Sequence, residues 1–195
     1  MDHGERTFPR ILAFYLPQYH PIPENDEWWG KGFTEWRNVV RASSRFRGHY
    51  QPHIPGELGF YDLRVPEVRE AQAALARQHG IDGFVYYHYW FNGRQLLERP
   101  FVEVLASGAP DFPFCLCWAN ENWTRAWDGG DEEVLVGQRY DPEDDVQHLR
   151  AMAPALADGA STRSAIGRAP VATCGELSSP RNARLTISDS CSPGW

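Results

Sequence analysis

Three short apolar segments constrain the fold of this chain more than any other feature of its sequence. They lie near residues 10–16, 83–89 and 113–118, and each ends in polar or aromatic side chains. A stretch with the spacing or the start signals of an amphipathic helix follows each segment. Strands that alternate with helices in this way pair in parallel through right-handed crossovers. The sequence therefore predicts an α/β fold in which residues 10–157 form three parallel βα units.

The three predicted helices have recognisable ends. The first begins near Pro66 and stops before Gly80, and the second covers about residues 96–106. The third has Asp141 as its N-cap and Pro142 at its first position, a combination that favours helix initiation. Its predicted buried stripe consists of Val146, Leu149, Met152, Ala153 and Leu156.

The third strand leads into the tripeptide Asn-Glu-Asn at residues 120–122, which has Trp118, Trp123 and Trp127 around it. Sugars present flat C–H faces on which indole rings stack, and hydroxyl groups that amides and carboxylates bind. The pattern favours a sugar site. The alternative is a polar loop whose tryptophans fill the local core. Residues 128–131 are predicted to form a turn.

A long segment rich in Pro, Gly and aromatic residues, residues 21–59, separates the first strand from the first helix. A connection of this length inside a compact domain usually has a function. Glu24, Asp26 and Glu27 are expected to be solvated surface acids. Glu35, which is flanked by aromatic residues, is the candidate functional acid of this segment.

Ring side chains gather where the first two strands end: Tyr19, His20, His88, Tyr89 and Trp90. The carboxyl ends of parallel strands share one edge, and that edge is where ligands bind in open α/β sheets and in (β/α)8 barrels. His88 and Glu121 are therefore expected at the same rim, with side chains converging on one pocket. No Gly-x-Gly-x-x-Gly or Walker pattern follows any strand, which argues against a nucleotide cradle and favours a barrel with a sugar-like ligand.

Composition and charge narrow the function classes. A net charge of −7 with scattered basic residues argues against a nucleic-acid partner. No apolar run approaches the roughly 20 residues that a membrane span needs, and the N-terminal segment lacks the apolar core of an export signal. Cys115 and Cys117 lie on one strand face and are expected to pack rather than bind a metal. No cofactor is expected, and the cysteine usage predicts a reducing, cytoplasmic setting.

Four motifs together resemble the WbsX-like family, glycoside hydrolase family 99-like proteins found among bacterial polysaccharide and O-antigen biosynthesis enzymes. They are FYLPQYH (14–20), WGKGFTEW (29–36), GFVYYHYWF (83–91) and CWANENWTR (117–125). The similarity extends from about residue 11 to residue 158. It implies a (β/α)8 barrel and, from the hydrolase branch of the family, action on α-mannosidic linkages.

The resemblance also implies roles for residues within the motifs. Glycosidic chemistry usually needs two carboxyl groups flanking the bond, about 5–5.5 Å apart for retention and 6.5–9.5 Å for inversion. Glu121 and Glu35 are the candidates. His20 or His88 is a candidate to assist, although a histidine after a buried strand more often has a structural or positioning role. The predicted substrate-binding residues are Tyr19, His20, Trp36, His88, Tyr89, Trp90, Trp118, Asn120, Asn122 and Trp123.

The sequence departs from the family pattern in its last part. It lacks the late Trp-Asn-Glu-Trp-type motif thought to carry catalytic carboxylates, and no fourth strand is evident after the third helix. We therefore expect a partial barrel domain of about three of eight units at residues 8–158. Residues 159–195, which are rich in Ser and Thr, are predicted to be a disordered or non-native tail. Unpaired edges of the first and third strands would favour self-association.

Two classes of function are compatible with these features. One is a carbohydrate-active protein that binds and processes glycans in bacterial polysaccharide (O-antigen or lipopolysaccharide) biosynthesis, with this chain expected to be inactive as a fragment. The other is a non-catalytic carbohydrate-binding chain, or an inert product of a disrupted reading frame. A glycan is the expected partner in the first class, and the sequence does not distinguish transfer from hydrolysis.

Overall fold

A parallel β-sheet forms the centre of the structure, a computed structural model that describes residues 9–125, 130–157 and 171–173. The sheet contains β1 (Leu12–Tyr15), β2 (Gly83–Phe91), β4 (Phe114–Trp118) and β7 (Val171–Thr173) in the spatial order β1-β2-β4-β7. β2 pairs in parallel with both β1 and β4. The three predicted strands and their parallel pairing are confirmed.

Helices occupy the connections between these strands. They are α1 (Pro23–Trp29), α2 (Glu35–Arg41), α3 (Pro66–Gln78), α4 (Arg99–Ser107) and α5 (Pro142–Ala157). α1, α3 and α5 begin with a proline, whose fixed φ suits the first helical position and whose missing N–H costs nothing there. α3, α4 and α5 correspond to the predicted helices, whereas α1 and α2 lie inside the segment expected to be a long loop. No helix within the described ranges has the length and apolar character needed to cross a lipid bilayer.

Two antiparallel hairpins were not predicted. β3 (Arg94–Leu96) folds back on β2 through Asn92 and Gly93, whose φ angles of 50° and 85° are those of a tight hairpin turn. An Asn-Gly pair between apolar residues is a strong hairpin signal, so this strand was readable from the sequence. The second helix accordingly begins at Arg99, not near residue 96.

The second hairpin consists of β5 (Trp123–Arg125) and β6 (Gly130–Val136). The predicted turn at residues 128–131 is therefore wrong for Gly130 and Asp131, which begin β6. Residues 128 and 129, like Trp127, lie outside the described residues. The hairpin stands at the carboxyl end of β4 and supplies one wall of the candidate site.

The two faces of the sheet have different partners because side chains alternate along each strand. On the helix-covered face, Tyr15, Phe84, Tyr86, Phe114 and Leu116 form the main core, together with Ala73 of α3 and Met152 of α5. On the opposite face, Val85 packs with Cys115 and Cys117. Both cysteines are buried there, and burial raises the pKa of the Cys115 thiol to about 11. Their predicted packing role is confirmed.

The buried face of α5 agrees with the predicted stripe only in part. His148, Met152 and Ala155 are buried, and Leu156 packs against the same core. The prediction is therefore confirmed for Met152 and Leu156. It is wrong for Val146 and Leu149, which are 47% and 58% exposed, and for the exposed Ala153. His148 takes the buried position one turn before Met152, where it contacts His88 of the sheet.

A fourth parallel strand follows α5, contrary to expectation. β7 pairs with β4 in the register Leu116↔Val171 and Trp118↔Thr173. The edge of β4 expected to be bare is thus paired over these residues. The remainder of the predicted tail, residues 159–170 and 174–195, lies outside the described residues. No described strand pairs with the other edge of β1.

Candidate functional site

A cavity of about 280 Å³ lies where α1, α2 and the β5–β6 hairpin meet. Four of the predicted site residues line it, both candidate catalytic acids among them: Glu35, Glu121, Asn122 and Trp123. The other lining residues are Gln18, Asn25, Trp28, Trp29, Phe33, Asn38, Thr124 and Leu135. Amides, carboxylates and indoles therefore share one concave surface, as expected for a site that binds sugar rings and hydroxyl groups.

The two carboxylates have contrasting surroundings. Glu35 is the first residue of α2 and is half-buried; its Oε2 accepts a hydrogen bond of 3.0 Å from Asn38 Nδ2. Burial raises the pKa of Glu35, and the Asn38 hydrogen bond opposes that rise only in part. Glu121 is exposed in the loop after β4. Glu35 thus keeps its proton to a higher pH than an ordinary glutamate does, while Glu121 faces solvent.

The end of β1 fixes the position of Glu35. The Gln18 carbonyl accepts a hydrogen bond of 3.1 Å from the backbone N–H of Glu35. The Gln18 side chain accepts a second one, 3.0 Å long, from Asn25, which is buried in α1. Gln18 therefore connects both short helices to the sheet, so the first acid is held by the backbone and not by a flexible loop.

Aromatic rings form the walls beside these acids. Trp28 and Trp123 meet edge to face with centroids 5.8 Å apart, and Tyr89 packs behind Trp123 at 4.9 Å. The Arg125 guanidinium lies 5.1 Å from the centre of the Trp29 ring and donates a hydrogen bond of 3.4 Å to the Trp28 carbonyl. These contacts hold indole rings in place before any ligand binds, which lowers the entropic cost of stacking on them.

Asn122 also joins the hairpin to the rim. Its Oδ1 accepts a hydrogen bond of 2.6 Å from the backbone N–H of Gln138. Asn120 is not among the residues that line the cavity; its carbonyl accepts a hydrogen bond from the Tyr140 hydroxyl. The two amides of the tripeptide therefore differ, because one contributes to the cavity wall and the other supports the loop behind it.

His88 lies on the opposite face of the sheet from the cavity. Its Nε2 is 2.8 Å from His148 Nε2 of α5, and the two rings are nearly parallel. Trp118 packs against His148 at 4.6 Å, and Trp90 donates a hydrogen bond of 2.9 Å to Asp144. None of the three predicted residues His88, Trp90 and Trp118 lines the cavity. The expected convergence of His88 and Glu121 on one pocket is therefore not what the structure shows.

Three further predicted residues support the segment around the site. Tyr19 packs against Trp36 with centroids 4.5 Å apart, and Trp36 donates a hydrogen bond of 2.8 Å to the Tyr61 carbonyl. His20 is fully buried, and burial lowers its pKa. None of these three side chains, nor Tyr89, lines the cavity, so their placement favours a positioning role over direct ligand contact.

Eight lining residues were not among the predicted site residues. Asn38 lies beside Glu35 because residues three apart face the same side of a helix, and the helix in question, α2, forms inside the segment expected to be a long loop. Trp28 and Trp29 belong to the aromatic-rich segment 21–59, within which only Glu35 and Trp36 were predicted as site residues. Gln18 and Asn25 had no signal of their own, since their place in the site depends on the short helix α1. Within the described ranges, no group of three or more His, Cys, Asp or Glu side chains could hold a metal ion.

Comparison with known proteins decides the family. The model of the family described as "Glycosyltransferase WbsX" matches residues 11–165 of the 195. The chain belongs to the WbsX glycosyltransferase family. Proteins named WxcX from Xanthomonas campestris pv. campestris, strains B100 and ATCC 33913, are each 54% identical to it over 148 residues. That alignment covers 75% of this chain and 21% of each relative, so the chain spans about a fifth of the length of the curated relatives it matches.

Among solved structures, the chain is similar to the GH99 endo-alpha-mannosidase from Bacteroides thetaiotaomicron, determined in complex with bis-tris-propane. The TM-score is 0.49 at 11% sequence identity, and the match covers 87% of this chain and 43% of the mannosidase.

Proposed function

We propose that this WbsX-family chain binds a glycan in the cavity between α1, α2 and the β5–β6 hairpin, as part of a protein that processes glycans in bacterial polysaccharide biosynthesis. The observation that carries the proposal is the shared cavity of Glu35 and Glu121, with Trp28, Trp29 and Trp123 in its walls. Two carboxyl groups beside stacking surfaces are the parts that glycosidic chemistry requires. An O-antigen or lipopolysaccharide glycan is the proposed substrate class, in line with the family resemblance.

The two acids have different proposed roles. Glu35, whose pKa is raised by burial, holds a proton at higher pH than an exposed glutamate and would donate it to the oxygen of the departing group. Glu121 would act as the carboxylate that activates the attacking hydroxyl or stabilises positive charge on the sugar. In hydrolysis the attacking group is water, and in transfer it is the hydroxyl of a second sugar.

The proposal also covers the complete fold, the cellular setting and the glycosidic linkage. The βα units are the first part of a (β/α)8 barrel, with the barrel domain at residues 8–158, and the setting is cytoplasmic. The linkage acted on is α-mannosidic, as the resemblance to the hydrolase branch of the family implies. Because the late Trp-Asn-Glu-Trp-type motif is absent from this sequence, the chain by itself binds glycan without turning it over.

Titration of the chain with α-linked mannose oligosaccharides, followed by tryptophan fluorescence, tests the proposal. Binding should perturb the fluorescence of the cavity indoles. The Glu35→Gln and Glu121→Gln variants should each weaken binding about tenfold, because each loses a carboxyl hydrogen bond to the sugar, which contributes roughly 0.5–1.5 kcal/mol for a neutral carboxyl group and 1.5–3 kcal/mol for a carboxylate. Glu70→Gln, an exposed change on α3, is the matched control and should bind as the wild type does.

Two outcomes would contradict the proposal in different ways. If no oligosaccharide binds, or if all three variants bind equally, the cavity is not the glycan site. If the chain alone turns over any glycan, the binding-only assignment is wrong, and the carboxylates described here suffice for the chemistry.

A further inference from the structure

A second cavity, of about 540 Å³, adjoins the first along the same rim of the protein. Trp28 and Leu135 line both cavities. The remaining walls of the second cavity come from the start of α1, from the turn between β2 and β3, and from the end of β6. Trp28 therefore borders both spaces, and a ligand that filled both would pass its ring.

The walls of the second cavity are polar and already organised. Glu24 forms an ion pair with Arg94, which holds α1 against the β2–β3 hairpin. Asn92, at the turn, donates a hydrogen bond of 3.1 Å to the Gly137 carbonyl at the end of β6. Arg139 lines the cavity too, and it has no hydrogen bond or ion pair with any residue in the described part of the chain. Its guanidinium is available to a ligand.

The charges in this cavity balance. Glu24 and Glu27 provide two carboxylates, and Arg94 and Arg139 provide two guanidinium groups. A site for a phosphate or carboxylate group would be expected to have an excess of unpaired cations. A balanced set of donors and acceptors instead suits a neutral ligand with many hydroxyl groups. This chemistry matches a sugar ring and extends the surface offered by the first cavity.

The volumes of the two cavities leave room for a ligand longer than one sugar ring. Small-molecule sites typically enclose about 300–1,000 Å³. The first cavity, at about 280 Å³, lies at the lower end of that range, and the second, at about 540 Å³, lies inside it. A ligand that occupied both cavities would contact the two residues that they share, Trp28 and Leu135.

We propose that the cavity bounded by Trp28, Asn92, Arg94 and Arg139 is a second sugar-binding subsite, and that the ligand is a neutral oligosaccharide long enough to cross Trp28. The inference rests on the proposed function, because it assumes that the first cavity binds sugar. It adds the substrate class: a glycan of two or more neutral residues, not a single sugar or a nucleotide-linked one.

The test compares affinity across chain length. Methyl α-mannoside and α-linked mannose di-, tri- and tetrasaccharides are titrated into the wild-type chain by calorimetry. Affinity should rise at least tenfold, about 1.4 kcal/mol, once the oligosaccharide is long enough to cross Trp28. The variant Arg139→Ala should remove most of that gain and leave the affinity for methyl α-mannoside unchanged. Arg150→Ala, an exposed change on α5, is the matched control and should preserve the full gain.

A second variant removes a polar group from another wall of the same cavity. Asn92 has a φ of 50°, a conformation that glycine adopts readily, so Asn92→Gly should keep the turn while removing the carboxamide and its hydrogen bond to the Gly137 carbonyl. It should show the same length-selective loss as Arg139→Ala. An affinity that is equal for all lengths, or an equal loss for short and long ligands in both variants, would overturn the second subsite alone. Absence of binding at every length would overturn the proposed function together with it.

Discussion

Acidification should destabilise this protein through the buried histidine pair between β2 and α5. Burial lowers the pKa of His88 to about 3, and the adjacent His148 acts in the same direction. Burial also lowers the pKa of His148, although Asp144 and Asp145 on the same helix partly oppose that shift. Both rings are therefore neutral in the folded protein at neutral pH, and their 2.8 Å contact requires that at least one of them stays so.

The sign of the pH effect follows from which state binds protons. The unfolded chain takes up a proton on each histidine below a pKa of about 6.5, whereas folded His88 does not until about pH 3. The free energy of unfolding is thus at its full value above about pH 6.5 and decreases as the pH falls below it. Integrating the linkage for His88 alone gives a loss of about 2 kcal/mol between pH 7.5 and pH 5. His148 adds to this loss.

Urea unfolding followed by circular dichroism at several pH values provides the measurement. A loss of about 2 kcal/mol lowers the urea midpoint by roughly 1 M, given slopes of 1–3 kcal/mol per molar. The His88→Gln variant should be less stable at neutral pH, but its stability should fall less steeply between pH 6.5 and pH 5. His53→Gln, a change at an exposed histidine, should leave the wild-type slope intact. A flat wild-type profile, or an unchanged slope in His88→Gln, would refute the reasoning.

Two further changes test the packing by urea unfolding. Gly83→Ala should destabilise the fold by about 1–3 kcal/mol, because the added Cβ would lie 2.8 Å from the Pro113 carbonyl oxygen. The control Gly56→Ala, where nothing lies within 4 Å, should have little effect. Equal losses of stability in the two variants would contradict this prediction. Met152→Ala should lower stability by about 2–5 kcal/mol, because the Met152 side chain packs against the sheet and is only 5% exposed. Leu149→Ala should change stability by less than about 0.5 kcal/mol, because Leu149 is 58% exposed. The reverse order would mean that α5 packs on its other face.

The candidate site shows where pattern analysis succeeds and where it stops. Glu35 and Glu121 were both selected from their neighbours in sequence, and the fold brings them to one cavity. His88 was selected on equally good grounds, since it lies near the carboxyl end of a buried strand. Its neighbour Tyr89 has the opposite orientation because successive side chains of a strand alternate. Tyr89 packs toward the cavity wall, on Trp123, and His88 packs on a helix. Alternation was known from the sequence, but which face meets the helices was not.

The sequence by itself determined the order of the three parallel strands β1, β2 and β4 and of the helices α3, α4 and α5, because apolar runs, proline starts and glycine stops act over a few neighbouring residues. It also determined the family, through four separate motifs. Only the tertiary structure decided that α1 forms inside the long connection and places Gln18, Asn25 and Trp28 at the site. It likewise decided which face of α5 is buried, since His148 lies on that face in contact with a histidine 60 residues away in the sequence. Contacts of that kind depend on how the elements pack, and no local pattern encodes them.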